Sequence, residues 1–131
     1  MTTVCFTITE RPQGYYARGS RPNGKRLKQY MQWRDTVRGY AMLALLRLPL
    51  RASKNVPLVI VTRSYFENGV HPDPENVHKG VVDALFYAKP KGSADKYTGG
   101  QFSPPLYDPE RPRVEVWVMD ALSFESKGPP R

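Results

Sequence analysis

The residues best suited to chemistry are acids separated by short steps. Asp73 and Glu75 come first, Lys79 and Asp83 follow at helical spacing, and Asp95 lies further along the 131-residue chain. Carboxylate oxygens are the ligands that Mg²⁺ prefers, and because the ion keeps several waters, two or three carboxylates are enough to hold it. Lys and Arg number 20 against 12 Asp and Glu, a net charge of +8. Acids clustered on so basic a chain would repel a polyanion unless a metal neutralised them, which favours a metal site.

A purely structural role also accounts for these residues. Asp73 suits the position just before a helix, where its side chain caps free N–H groups, and Pro74 suits the first helical position. Glu75 in the first turn complements the helix dipole. Lys79 and Asp83 stand at the i, i+4 spacing of a surface ion pair. The residues alone are compatible with both a metal site and a helix cap.

Three strands are predicted from the pattern of apolar residues. The first spans 3–9, where apolar and polar residues alternate. The second, at 57–66, is apolar at successive positions, as in a central strand covered on both faces. The third spans 113–119, where valine occupies alternate positions. Segments 11–28 and 89–110 are rich in Pro, Gly and basic residues and are predicted to be loops.

Two amphipathic helices are predicted between these strands. The first spans about 28–48, with apolar residues at three- and four-residue steps. The second spans 74–88 and buries a stripe formed by Val77, Val81, Ala84 and Leu85. The order β, basic loop, α, β, α, loop, β predicts an α/β (α+β) fold, in which a small mixed sheet packs against two main helices. We expect a single domain at 1–125 and a loose C-terminal tail at 126–131.

Positive charge is concentrated early in the chain. Between residues 11 and 38 there are eight basic residues and one acid, Asp35. Such a segment suits the phosphates of a nucleic acid, with an affinity that falls steeply as salt rises, although a solvated face that aids solubility is the alternative. Its tyrosines suit stacking on unpaired bases or ordinary loop packing. The candidate nucleic-acid contacts are Tyr15, Tyr16, Arg18, Arg21, Lys25, Arg26, Lys28 and Arg34.

Several function classes are excluded by what the sequence lacks. The single cysteine, Cys5, rules out an internal disulfide framework and a cysteine-based zinc site. There is no Gly-rich phosphate loop and no Ser-His-Asp signature. The apolar runs are too short to span a bilayer, and the N-terminus does not resemble a signal peptide. We therefore expect a soluble, cytoplasmic protein that has no membrane partner and no small-molecule cofactor.

Residues 73–85 carry a pattern that is similar to a known family signature. The chain reads Asp73-x-Glu75-Asn76-x-x-Lys79-x-x-x-Asp83-Ala84-Leu85, and Asp95 follows. This resembles the signature Asp-x-Asp-Asn-x-x-Lys-x-x-x-Asp-Ala-Leu of the RusA family of Holliday junction resolvases. The predicted element order is also similar over about residues 3–119. The chain differs from the family in having Glu75 where Asp is usual, and Ala94 before Asp95 where two adjacent acids are usual.

The resemblance implies a homodimer of small α/β subunits that uses Mg²⁺, or Mn²⁺ in its place. It implies paired, symmetrical nicks in four-way DNA junctions during recombination and repair, leaving a 5′-phosphate and a 3′-hydroxyl, by a bacterial or phage-encoded protein. By the same resemblance, Asp73, Glu75 and Asp95 would be the metal ligands and, with Lys79, the catalytic residues. Asp83 would be a supporting acid, and Asn76 and Lys79 further DNA contacts. The alternative is a module on the same fold that binds branched DNA but cuts it weakly or not at all.

Overall fold

The computed structural model describes residues 3–14, 24–45, 57–86 and 98–121. The elements, in chain order, are β1 (Thr3–Ile8), α1 (Gly24–Leu45), β2 (Leu58–Phe66), α2 (Pro74–Phe86), β3 (Thr98–Phe102), β4 (Leu106–Tyr107) and β5 (Arg113–Asp120). These strands form one mixed sheet, and both helices pack against it. The predicted α/β class, with a small mixed sheet and two main helices, is confirmed.

The sheet has the strand order β1-β5-β2-β3, and β4 also pairs with β2. β5 runs antiparallel to both of its neighbours, whereas β2 pairs in parallel with β3 and β4. β2 is therefore internal, as its apolar run predicts, and β2, α2 and β3 form a parallel β-α-β unit. The start of α2 follows the carboxyl end of β2, the edge at which open α/β sheets commonly bind ligands.

The core lies between the sheet and the two helices. Ile8, Ile60 and Val116 are fully buried on the sheet, and they belong to one apolar cluster with Val37 of α1 and Val81 of α2. Burying each such side chain contributes about 1.5–3 kcal/mol. This packing holds α2 with its apolar stripe inward, which leaves its opposite side exposed to solvent.

The strands and the second helix follow their sequence patterns closely. β1, β2 and β5 match the strands predicted at 3–9, 57–66 and 113–119 to within one residue at each end. The predicted stripe of α2 is buried at Val77, Val81 and Ala84, and Leu85 is partly buried against the same cluster.

The two loop predictions are wrong in part. α1 begins at Gly24, before the predicted start at 28, because Lys25, Arg26 and Leu27 are good helix formers that follow the last breaker. The loop predicted at 89–110 contains β3 and β4. Most of β3 is exposed, so no apolar alternation marks it, and it forms through backbone pairing with β2.

The far ends of the predicted helices, at 46–48 and 87–88, and the tail at 126–131 lie outside the described residues. Within the described ranges, neither helix combines the length and the apolar character that crossing a bilayer requires.

Candidate functional site

Asp73 caps the start of α2. Its Oδ1 accepts a hydrogen bond of 3.0 Å from the backbone N–H of Glu75, and its backbone carbonyl accepts one of 3.0 Å from the N–H of Val77. The structural role proposed for Asp73 is thus confirmed, and a cap of this kind is worth about 1 kcal/mol. Capping uses one carboxylate oxygen, and within the described residues the other, Oδ2, accepts no hydrogen bond. A helix cap and a cation ligand are compatible roles for this side chain.

The polar residues that follow lie on the exposed side of α2. Asp73, Glu75, Asn76 and Lys79 are all exposed. Glu75 and Lys79 are one helical turn apart and so project from neighbouring positions on one side of the helix. Glu75 forms no ion pair within the described part of the chain. Two carboxylates and a lysine therefore stand together in solvent at the carboxyl end of β2.

The third predicted metal ligand, Asp95, lies outside the described residues. No group of three His, Cys, Asp or Glu side chains that could hold a metal ion occurs within 3–14, 24–45, 57–86 and 98–121. Thr98, three positions after Asp95, pairs with Leu58 at the start of β2, whereas Asp73 follows the end of that strand. The described part of the site is accordingly the pair Asp73 and Glu75, whose hard, solvent-exposed oxygens suit a hydrated Mg²⁺.

Asp83 lies away from this pair. Its Oδ2 accepts a hydrogen bond of 2.5 Å from the Tyr30 hydroxyl, and Nη1 of Arg34 is 3.9 Å from the same oxygen. Ten residues of helix separate Asp83 from Asp73, which corresponds to about 15 Å. Asp83 thus connects α2 to α1 rather than joining Asp73 and Glu75.

The eight DNA contacts predicted between residues 15 and 34 divide into three groups. The side chain of Arg34 is only 11% exposed and lies beside Asp83, so it belongs to the contact between the helices. Lys25, Arg26 and Lys28 are exposed on the first turns of α1 and are accessible to a polyanion. The remaining four lie outside the described residues; they are Tyr15, Tyr16, Arg18 and Arg21.

The segment after β1 packs against the start of α2. A Cβ atom at Gly14 would lie 3.1 Å from Cβ of Pro72 and 3.6 Å from Cβ of Asn76, so only glycine fits there without displacement. Arg11 forms an ion pair with Glu67, just after β2. These contacts bring the segment 11–14 beside the residues that precede Asp73.

A cluster of three rings, formed by Phe66, His71 and Tyr107, lies beside the residues that precede Asp73. His71 stacks on Phe66 with ring centroids 3.9 Å apart and an interplanar angle of 11°. His71 Nδ1 donates to the Pro72 carbonyl at 2.7 Å, so in the neutral ring Nε2 accepts from the Tyr107 hydroxyl at 2.9 Å. These contacts fix the backbone immediately before the cap. Sequence reasoning missed them because residues 66, 71 and 107 have no informative spacing.

His78 connects α2 to the parallel strands β2 and β3. Its Nδ1 lies 2.8 Å from Oγ1 of Thr62, and its ring lies 5.8 Å from that of Phe102. Burial lowers the pKa of His78 below its ordinary value of 6.5. A Cβ atom at Gly100 would lie 2.5 Å from His78 Nε2, which explains why glycine occupies that position. This contact adds to the core packing that sets the orientation of α2 and of its exposed side.

The chain matches no protein-family model and no curated protein at a significant level. Function is therefore inferred from the residues of the site and from their geometry.

Proposed function

We propose that the protein is a Mg²⁺-dependent endonuclease of the RusA type that resolves four-way DNA junctions. One observation carries the proposal: Asp73, Glu75 and Lys79 stand exposed together at the start of α2, at the carboxyl end of β2. A structural cap needs only Asp73. The exposed Glu75 and Lys79 would provide, in addition, a second metal ligand and a cation that suit phosphodiester hydrolysis.

Asp73, through Oδ2, and Glu75 would hold the metal, and the resemblance alone adds Asp95 to this set. When bound, Mg²⁺ polarises the scissile phosphate and lowers the pKa of a bound water. Oδ1 of Asp73 accepts the capping hydrogen bond from the Glu75 N–H, and this bond orients the carboxylate. Its other oxygen, Oδ2, is thereby held in position for a metal. The ring cluster behind Pro72 adds to this preorganisation.

Lys79 would stabilise the phosphate during cleavage. Its ammonium group is a compact charge one helical turn beyond Glu75, where it can neutralise negative charge that develops on the phosphate oxygens. Asn76, exposed on the same side of α2, would donate a hydrogen bond to the DNA backbone.

The charge distribution supports DNA as the substrate. Lys25, Arg26 and Lys28 are exposed at the start of α1, and Arg26 lines the same cleft as Pro72, the residue before Asp73. Basic side chains beside the acids would position the phosphate backbone. A homodimer would then place two such sites about a twofold axis, which matches the symmetry of a four-way junction.

A nicking assay tests this function. The wild-type protein should introduce paired, ligatable nicks into a synthetic four-way junction with Mg²⁺, and should leave a linear duplex of the same sequence uncut. Asp73→Asn should bind the junction without cutting it, because Asn retains the cap but is a poorer metal ligand. Asp35→Asn, at an exposed acid on α1, is the matched control and should cut normally. Asp95→Asn tests separately whether Asp95 is a ligand at all, and normal cleavage by this variant would limit the site to Asp73 and Glu75.

The second candidate is a DNA-binding module that recognises branched DNA without cutting it. The observation that favours it is Glu75, whose extra methylene moves the carboxylate outward relative to the Asp that is usual in the resembling family. Tight junction binding with no cleavage in Mg²⁺ or Mn²⁺ would support this candidate and contradict the endonuclease.

A further inference from the structure

A cleft of about 380 Å³ opens beside the candidate site. It lies between the first turns of α1, the end of the segment 11–14, and the two residues that precede Asp73. The residues that line it are Gln13, Gly14, Arg26, Gln29, Tyr30, His71 and Pro72. Its volume is at the low end of the range of small-molecule sites, so it suits one small group and is far too small for a duplex.

The lining residues offer two kinds of recognition. Gln13 and Gln29 carry carboxamides, which donate and accept hydrogen bonds and can pair with the edge of a nucleobase. Arg26 contributes a guanidinium group, which suits a phosphate. The partly exposed ring of His71 is of the kind on which bases stack, whereas Tyr30 lines the cleft as a buried residue of the core. This combination matches a nucleotide better than it matches an apolar ligand or a simple anion.

The walls of the cleft are held in place by contacts outside it. The Tyr30 hydroxyl is hydrogen-bonded to Asp83. The His71 ring is hydrogen-bonded to Tyr107 and stacked on Phe66. Close packing of Gly14 on Pro72 holds the third wall. The cleft is therefore largely preformed, which reduces the cost of ordering side chains when a ligand binds.

We infer that this cleft binds a single unpaired nucleotide of the DNA strand next to the scissile phosphate and reads its base. This rests on the proposed function, since it places the nucleotide one residue away from the capping Asp73. Extruding a base costs least where the base is already unpaired, as at the crossover of a junction. The cleft would thus select both the branch point and the sequence at which the strand is cut.

The experiment places the fluorescent base 2-aminopurine at each position flanking the crossover and measures its emission when the protein binds in EDTA, where no cleavage occurs. The wild-type protein should change the emission at one position, as the base leaves the stack. Gln29→Ala and Gln13→Ala should reduce that change, and Gln29→Trp should abolish it by filling the cleft. Gln32→Ala is the matched control, because Gln32 is exposed on α1 but does not line the cleft.

Cleavage provides a second measurement. Among junctions with each of the four bases at that position, the wild-type protein should prefer one by about tenfold or more, and Gln29→Ala should flatten the preference. If wild type cuts junctions but shows neither an emission change nor a base preference, the inference is wrong and the proposed function stands. If wild type binds junctions without cutting, the proposed function fails, and the emission change alone decides whether the cleft takes a base.

Discussion

The Tyr30 hydroxyl donates a 2.5 Å hydrogen bond to Oδ2 of Asp83, which joins the two helices across 53 positions of sequence. Asp83 is part of the RusA-like pattern, yet its carboxylate binds α1 rather than standing with Asp73 and Glu75. The structure therefore separates two kinds of acid on α2. Asp73 and Glu75 are exposed at its start, and Asp83 is partly buried in its contact with α1.

Removing the Tyr30 hydroxyl should destabilise the fold without removing a catalytic group. Tyr30→Phe is expected to lower the free energy of unfolding by about 1.5–3 kcal/mol, because the lost hydrogen bond goes to a charged acceptor. Tyr40→Phe, which removes an exposed hydrogen bond between the hydroxyls of Tyr40 on α1 and Thr9 after β1, should cost less. Urea unfolding of both variants checks this. An equal decrease in the free energy of unfolding in the two variants would contradict a larger contribution from the Tyr30–Asp83 hydrogen bond.

Adjacent glycines of β3 should respond differently to alanine. Gly100→Ala should destabilise the protein by about 1–3 kcal/mol, because its Cβ would lie 2.5 Å from His78 Nε2 and 2.8 Å from the Ile60 carbonyl oxygen. Gly99→Ala should be neutral or slightly stabilising, because nothing lies within 4 Å of the added atom. Thermal unfolding of the pair makes the comparison, and similar melting temperatures would show that α2 does not pack on β3 as described.

Stability should fall on mild acidification because of His78. Burial lowers the pKa of this residue in the folded state below its ordinary value of 6.5, so below that pH the unfolded chain binds more protons. The contribution of His78 is thus fully present above pH 6.5 and is lost as pH falls through the folded-state pKa. Unfolding in urea between pH 7.5 and 5 should show this slope, and His78→Gln should reduce it. An unchanged slope in His78→Gln would assign the effect to other groups.

Basic residues on α1 should differ in their effect on DNA binding. Lys28→Gln should weaken junction binding and reduce the slope of log affinity against log salt by about 1, as expected for an exposed phosphate contact. Arg34→Gln should leave the slope unchanged, because its side chain lies in the contact with Asp83. Fluorescence anisotropy at several salt concentrations measures both. A slope reduced by Arg34→Gln but not by Lys28→Gln would place the DNA surface elsewhere.

The parts of the fold that sequence predicts are those with strong side-chain periodicity. Valines at alternate positions predict β5, and the stripe from Val77 to Ala84 predicts α2, because in both cases burial of one face decides the structure. β3 escapes prediction, since Gly99 and Gly100 bury nothing and the strand depends on backbone pairing with β2.

Only those parts of the site that depend on contacts between sequence neighbours could be predicted. Asp73 as a helix cap follows from its own neighbours, so capping rules identify it. Asp83 contacts Tyr30 and Arg34 of α1 rather than Lys79, and local spacing cannot reveal contacts between distant segments. The cleft could not be predicted for the same reason, because Gln13, Gln29 and His71 come from three separate parts of the chain.

On the proposed function, Asp73 belongs to a cleavage site and Asp83 does not. The most direct test is single-turnover cleavage of a four-way junction in Mg²⁺ by wild type, Asp73→Asn and Asp83→Asn, with junction binding measured in parallel. Asp73→Asn should bind the junction normally and lose about a hundredfold or more in cleavage rate, whereas folded Asp83→Asn should keep most of the wild-type rate. Cleavage by Asp73→Asn at the wild-type rate would contradict the proposed function.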